Sequence, residues 1–280
     1  MPSSYSLIST SFSLGAVFSW GTSDFLGGYA ARRANAFVLT TIAHASGFVL
    51  MIALALANRS VFPSHRGIAW AVAAGLSGGA ALAIFYRALA VGKMGLTAPV
   101  SAVLGAAIPT AFNMIKDGPP GIVPGIGFAL AGIGILLISR TEDNVRADGL
   151  GLAVLAGLGF AGFFLCIKQA GSDSALWIAA SSRVGAFALT AVIVLLGRSF
   201  REISPLGVGF GIVAGCLDTA GSALFVRASQ TGRLDTAVVL VSLYPAVTVL
   251  LARLFLKEHF TPWKVVGMAA ALLAVPMIAS

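Results

Sequence analysis

The sequence predicts an all-α integral membrane protein of ten transmembrane helices, arranged as two inverted five-helix repeats. Three observations carry this: a scarcity of charge, ten long apolar runs, and self-similarity at an offset of half the chain. Of 280 residues, 58% are hydrophobic and only 10% are charged. A soluble domain averages about 25% charged residues, so a soluble enzyme, a disordered chain and a nucleic-acid-binding domain are all excluded. The balance is basic, with net charge +8, but the excess Lys and Arg stand singly or in pairs between apolar runs. That pattern suits loops at a membrane surface rather than a nucleic-acid footprint. The expected partners are the lipid bilayer and a small-molecule substrate, with no nucleic acid.

A helical span needs roughly 20 mostly apolar residues, whereas a membrane barrel would show strict alternation over about ten. The runs here are continuous, as in IAWAVAAGLSGGAALAIFYRALA and ALWIAASSRVGAFALTAVIVLLG. Spans are expected near 7–30, 36–57, 67–90, 96–115, 121–139, 149–169, 175–197, 206–228, 236–256 and 263–279. The connections between them are too short for an extramembrane domain. Residues 1–24 lack Lys and Arg, so the basic region of a signal peptide is missing and the first span is read as mature protein. Cys166 and Cys216 fall inside apolar runs, where Cys acts as a small hydrophobe and no disulfide is expected.

Shifting the chain by 140 residues brings FYRALAVGK (85–93) onto FVRASQTGR (225–233). Phe85 meets Phe225, Arg87 meets Arg227, Gly92 meets Gly232 and basic Lys93 meets basic Arg233. Shared Ala and Gly content does not generate this basic–Ala–x₃–Gly–basic pattern at one offset. The halves are therefore 1–140 and 141–280. Five spans is an odd number, so the second half enters the membrane from the opposite side. Inverted repeats belong largely to transporters, which bind substrate near the midplane between them.

Ionisable groups deep in a span are costly and usually face a cavity or a partner. Asp24 lies in the first span, His44 in the second, Arg183 in the seventh and Asp218 in the eighth. His44 and Arg183 are 139 residues apart, almost equivalent under the repeat, and each half supplies one Asp. Arg183 suits a carboxylate or phosphate, Asp24 or Asp218 an ammonium or a coupling proton, and His44 a proton relay. Arg87 and Arg227 lie near span ends, where snorkelling is the simpler reading. Trp20, Tyr86 and Tyr244 are candidate aromatic walls, among further aromatics Phe85, Phe160, Phe163 and Phe164. Trp20 shares a helix face with Asp24. Tyr244 precedes Pro245 beside Ser242, which suggests a broken, polar stretch of helix. Pro99 and Pro245 are candidate gates or hinges. Ala71, Gly75 and Gly79, and likewise Gly211, Gly215 and Thr219, repeat every four residues and allow close helix packing.

GLGFAG (157–162) matches a dinucleotide fingerprint in form only, because it lies inside a span. No phosphate-binding Gly-Lys loop, metal-ligand cluster or nucleophile triad is present in the sequence. No catalytic residue, metal or cofactor is therefore expected, and the protein is read as no enzyme.

Several features resemble the drug/metabolite transporter superfamily, EamA-type: WGTSDFLGG in the first span, SLYPAVTVLLARLFLKEHF (242–260) with its Pro and terminal Lys-Glu, and TPWKVVGMAAALLA opening the last span. The resemblance covers essentially the whole chain. It implies a multi-pass transporter that moves small organic metabolites, amino acids, nucleotide-sugars or drugs, often outward; a monomer in the cell inner (plasma) membrane is expected, exporting an amino acid, amine or similar metabolite. Its cavity would lie among spans 1–4 and 6–9. Asp117 lies one position off the place matching Glu258, so the resemblance implies no shared role for that acid. Connections after odd-numbered spans carry eleven Lys and Arg against six on the other side, which by the positive-inside rule puts both termini outside. The resemblance implies the reverse. A passive channel would want a continuous polar stripe, and a lipid-modifying membrane enzyme would want carboxylates or His clustered at one interface. The sequence has neither.

Overall fold

The computed structural model describes residues 4–117, 121–139, 149–170, 173–198, 204–231, 240–241 and 243–279. Among these it contains ten α-helices. They are α1 (Ser4–Ala30), α2 (Ala36–Ala57), α3 (His65–Val91), α4 (Met94–Asp117), α5 (Ile122–Ser139), α6 (Leu150–Gln169), α7 (Ala175–Leu196), α8 (Pro205–Thr231), α9 (Tyr244–Leu256) and α10 (Pro262–Ala279). All but one follow the expected spans within three residues. The exception is the ninth, where residues 236–239 lie outside the described residues. Residues 240–241 are helical, Leu243 is in a turn, and α9 begins only at Tyr244 with Pro245 in its first turn. The break expected beside Tyr244-Pro245 is matched by the turn at Leu243, and Pro245 fits the first turn of α9 because its missing N–H would have no partner there.

The bundle is built for lipid. Its interior is lined by small residues: Ala16, Ala43, Ala71, Ala74, Ala83, Ala153, Ala156, Ala214 and Ala274 are fully or almost fully buried. Large apolar side chains such as Phe18, Val49, Leu56, Leu136, Leu196 and Phe255 point outward. In water this exposed apolar surface would be an aggregation hazard; in hydrocarbon it costs nothing. Among the described residues, five helices are long and apolar enough to cross a bilayer, in α2, α3, α6, α7 and α8. Shorter apolar stretches occur in α4, α5, α9 and α10.

Caps set the helix starts. Asn35 Oδ1 accepts from the Phe37 amide at 2.9 Å, Ser64 Oγ from Gly67 at 3.1 Å and Ser204 Oγ from Gly207 at 3.2 Å. Such caps satisfy amides that have no partner within the helix. Glu258 performs the same task from a distance. Its carboxylate accepts from the Met94 and Gly95 amides at the start of α4, at 3.0 and 3.2 Å. It also pairs with Arg32 at 3.3 Å. Gly149 before α6 has φ +90°, and a Cβ there would lie 2.7 Å from the Ala88 carbonyl oxygen, so only glycine fits.

The principal packing contacts run between the two halves of the chain. α1 lies on α8 and α6 on α3; α3 lies on α7 and α8 on α2; α4 lies on α6 and α9 on α1. α2 meets α7, α4 meets α9 and α5 meets α10. α5 and α10 pack mainly on each other, with α10 also on α4. Pro99 and Pro109 sit inside α4, and Pro276 inside α10.

Candidate functional site

Local sequence brings the polar residues inward by clearing space for them. On α3, Gly75 abuts the Ser182 carbonyl of α7, and a Cβ at Gly79 would lie 2.6 Å from Ala186 Cα. On α8, Gly215 abuts the Ala43 carbonyl of α2, and the Thr219 hydroxyl sits at Gly47. The two small-residue stripes thus grip the helices that carry Arg183 and His44. Ser182 and Ala43 are 139 residues apart, as are Ala186 and Gly47, the same spacing as Arg183 and His44.

Arg183 is the hub. One guanidinium nitrogen donates to Asp218 Oδ2 in an ion pair, and the other lies 3.4 Å from His44 Nδ1. An arginine can only donate, so this contact requires a lone pair on Nδ1 and the hydrogen on Nε2. His44 is 2% exposed, and its Nε2 has no hydrogen-bond partner among the described residues. The Arg183 and Asp218 side chains keep 14% and 21% of their exposure, so this pair is accessible from open space while His44 is not.

Asp218 is held from two sides. Its backbone carbonyl accepts from Trp20 Nε1 at 3.0 Å and from the Ser222 hydroxyl at 3.0 Å. The Trp20 ring stands edge-on to Tyr244, with centroids 6.0 Å apart, and 6.0 Å from Phe225. One turn along α1, Asp24 is buried and within electrostatic reach of Asp218. Tyr86 and Tyr244 lie within the same reach of both carboxylates. No cationic group of a described residue forms an ion pair with Asp24. The site therefore holds two carboxylates and one guanidinium.

Trp20, Asp24, His44, Tyr86, Arg183, Asp218 and Tyr244 converge, from six helices. Ser242 lies outside the described residues. Pro245 is buried at the start of α9, below Tyr244, and Pro99 is buried in α4. Phe163 and Phe164 meet edge-on, with Phe164 half exposed, and Phe85 pairs edge-on with Phe160 in the apolar core. Sequence reasoning missed Ser23 and Gly27. Ser23 Oγ donates to the Ala214 carbonyl at 2.8 Å and lies 3.4 Å from the Tyr86 hydroxyl. Gly27 lies flat against the Tyr86 ring, where any Cβ would collide. Their signal was present: both lie within one turn of Asp24 on α1.

A charged, aromatic-lined cluster thus lies where the two halves of a helical membrane bundle meet. Residues 148–280 match the EamA-like transporter family, which bears out the resemblance carried by the sequence motifs. A crystal structure of another protein shares the fold, with TM-score 0.63 at 17% identity over 99% of this chain and 96% of that one. No curated protein matches the chain significantly in sequence.

Proposed function

We propose that the protein is a secondary transporter that exports a small amino acid, amine or similar metabolite by alternating access between inverted halves 1–140 and 141–280. The observation that carries this reading is the unmatched carboxylate of Asp24 beside the Arg183–Asp218 pair, inside a bundle that belongs in lipid. A substrate ammonium supplies the missing positive charge. Tyr86, Tyr244 and Trp20 offer ring faces for its cationic end, and Arg183 offers its fork to a carboxylate. Protons are the coupling ion: Asp24 exchanges a proton for the cationic substrate, and His44 relays it. Support for inverted halves comes from the exchanged packing pairs, α1–α8 with α6–α3 and α3–α7 with α8–α2, and from the 139-residue spacing shared by three contact positions. Pro99 and Pro245 act as hinges in the helices that meet across the halves. The orientation of the export direction follows the family resemblance alone.

Flux into proteoliposomes tests the reading, with radiolabelled amino acids and amines, with and without a pH gradient. Saturable uptake that responds to the gradient and is lost in Asp24→Asn is expected. Failure of every amine and amino acid to saturate, or full activity in Asp24→Asn, overturns it.

A further inference from the structure

A second polar feature lies away from the central cluster. A cavity of about 560 Å³ opens at the α1–α2 connection, lined by Arg32, Arg33, Asn35, Phe37 and Arg87. Three guanidinium groups surround it. Glu258 pairs with Arg32; among the described residues no carboxylate pairs with Arg33 or Arg87. Arg33 lines the cavity, with its guanidinium carbon 5.8 Å from the centroid of the Tyr29 ring. Arg87 follows Tyr86 on α3. Tyr86 is buried in the core while Arg87 is exposed, because consecutive helical residues face different directions. The first turn of α2 also lines the cavity, adding the positive end of its dipole.

We propose that this cavity binds a phosphate group, with Arg33 and Arg87 as its ligands. The chemistry fits that anion: planar guanidinium forks match phosphate oxygens in pairs, and two of the three have no competing carboxylate. The volume exceeds that of a bare phosphate and admits a glycerol backbone or a comparable small organic portion. The cavity lies on the face with the larger share of Lys and Arg, whose positive potential attracts anionic lipid. Basic pockets between spans on that face take anionic headgroups. The phosphate comes from such a lipid or from a soluble phosphate ester, and the site does not depend on the reading of the central cluster.

The experiment compares the purified full chain with the Arg33→Gln/Arg87→Gln variant and with Arg66→Gln, a basic residue on the opposite face. Native mass spectrometry measures retention of phosphatidylglycerol against phosphatidylcholine, and thermal melting measures the response to glycerol phosphate. Preferential phosphatidylglycerol retention, weakened about tenfold or more in the double variant and unchanged in Arg66→Gln, establishes a lipid-borne phosphate. A melting shift with glycerol phosphate, lost in the double variant and without lipid preference, establishes a soluble ester. Arg33→Gln alone, at an exposed connection, serves if the double variant fails to fold. Retention and melting response both absent, or both unchanged in the variants, overturn the proposal.

Discussion

Arg183 on α7 and Asp218 on α8 form an ion pair inside the bundle, and the same guanidinium reaches His44 on α2. α7 and α8 themselves touch little; the pair is held in place because α8 lies on α2 and α2 lies on α7. Removing one partner leaves a charge in surroundings that hydrate it poorly. For a fully buried pair that costs about 3–5 kcal/mol, and partial exposure here brings it towards the low end. Arg183→Gln and Asp218→Asn should each lower the melting temperature and abolish flux. The double variant should melt above either single variant, because neither member of the pair is left as a lone charge. A double variant that melts below both would show that the pair contributes more than the charge it neutralises.

Glycine contacts make a sharper test of the packing. A Cβ at Gly75 would run into the Ser182 carbonyl, and one at Gly185 into the Val72 carbonyl. Backbone cannot swing aside as a flexible side chain can, so Gly75→Ala should separate α3 from α7 at a cost of about 1–3 kcal/mol. Gly209 on α8 has nothing within 4 Å of the same position, so Gly209→Ala should be neutral or slightly stabilising through helix propensity. Melting temperatures of the two variants decide it, and equal shifts would contradict the packing described.

These residues also mark what could be read in advance. Helix positions were legible because twenty-residue apolar runs are local signals. The charged cluster was legible because a charge in hydrocarbon needs a reason. Partners across the fold were not. The Gly75 and Gly215 stripes announce close packing but do not name Ser182 or Ala43 as neighbours. The edge-on placement of Trp20 against Tyr244, and the role of Gly27 under Tyr86, depend on how α1, α3 and α9 cross. The arginine cavity was hidden for a different reason: Arg87 reads as a snorkelling end residue until α1–α2 is folded beside it.

Glu258 makes a prediction about the start of α4. Its carboxylate accepts from two orphan amides and pairs with Arg32, so three elements meet at one side chain. Glu258→Ala removes a cap, worth about 0.5–2 kcal/mol. Hydrogen exchange at the Met94 and Gly95 amides should accelerate selectively, with α2 unchanged. Glu258→Gln keeps one acceptor and should fall between wild type and Glu258→Ala. Uniform protection in all three proteins would remove the capping role.

Asp173 connects acidity to the opposite end of the bundle. The Ser64 hydroxyl and amide both donate to Asp173 Oδ2, at 2.7 and 2.9 Å. These bonds favour the ionised form and hold its carboxyl below the usual carboxylate range. Next to it, Trp177 Nε1 donates to the Ser60 carbonyl at 2.9 Å, so two side chains of the α7 end grip the α2–α3 connection. A depressed folded-state value means that the carboxylate stabilises the connection above its unfolded value, near pH 4. That contribution is lost as pH falls through the lower folded value. Asp173→Asn should therefore exchange its Ser64 and Gly67 amides faster than wild type at pH 7. As pH falls below about 4, the wild-type carboxyl takes up its proton and the difference should close. Exchange rates at those two amides, corrected for the intrinsic pH dependence of exchange, measure the effect directly. A gap that stays constant from pH 7 to the acid limit would mean that the charge on Asp173 does not hold the connection.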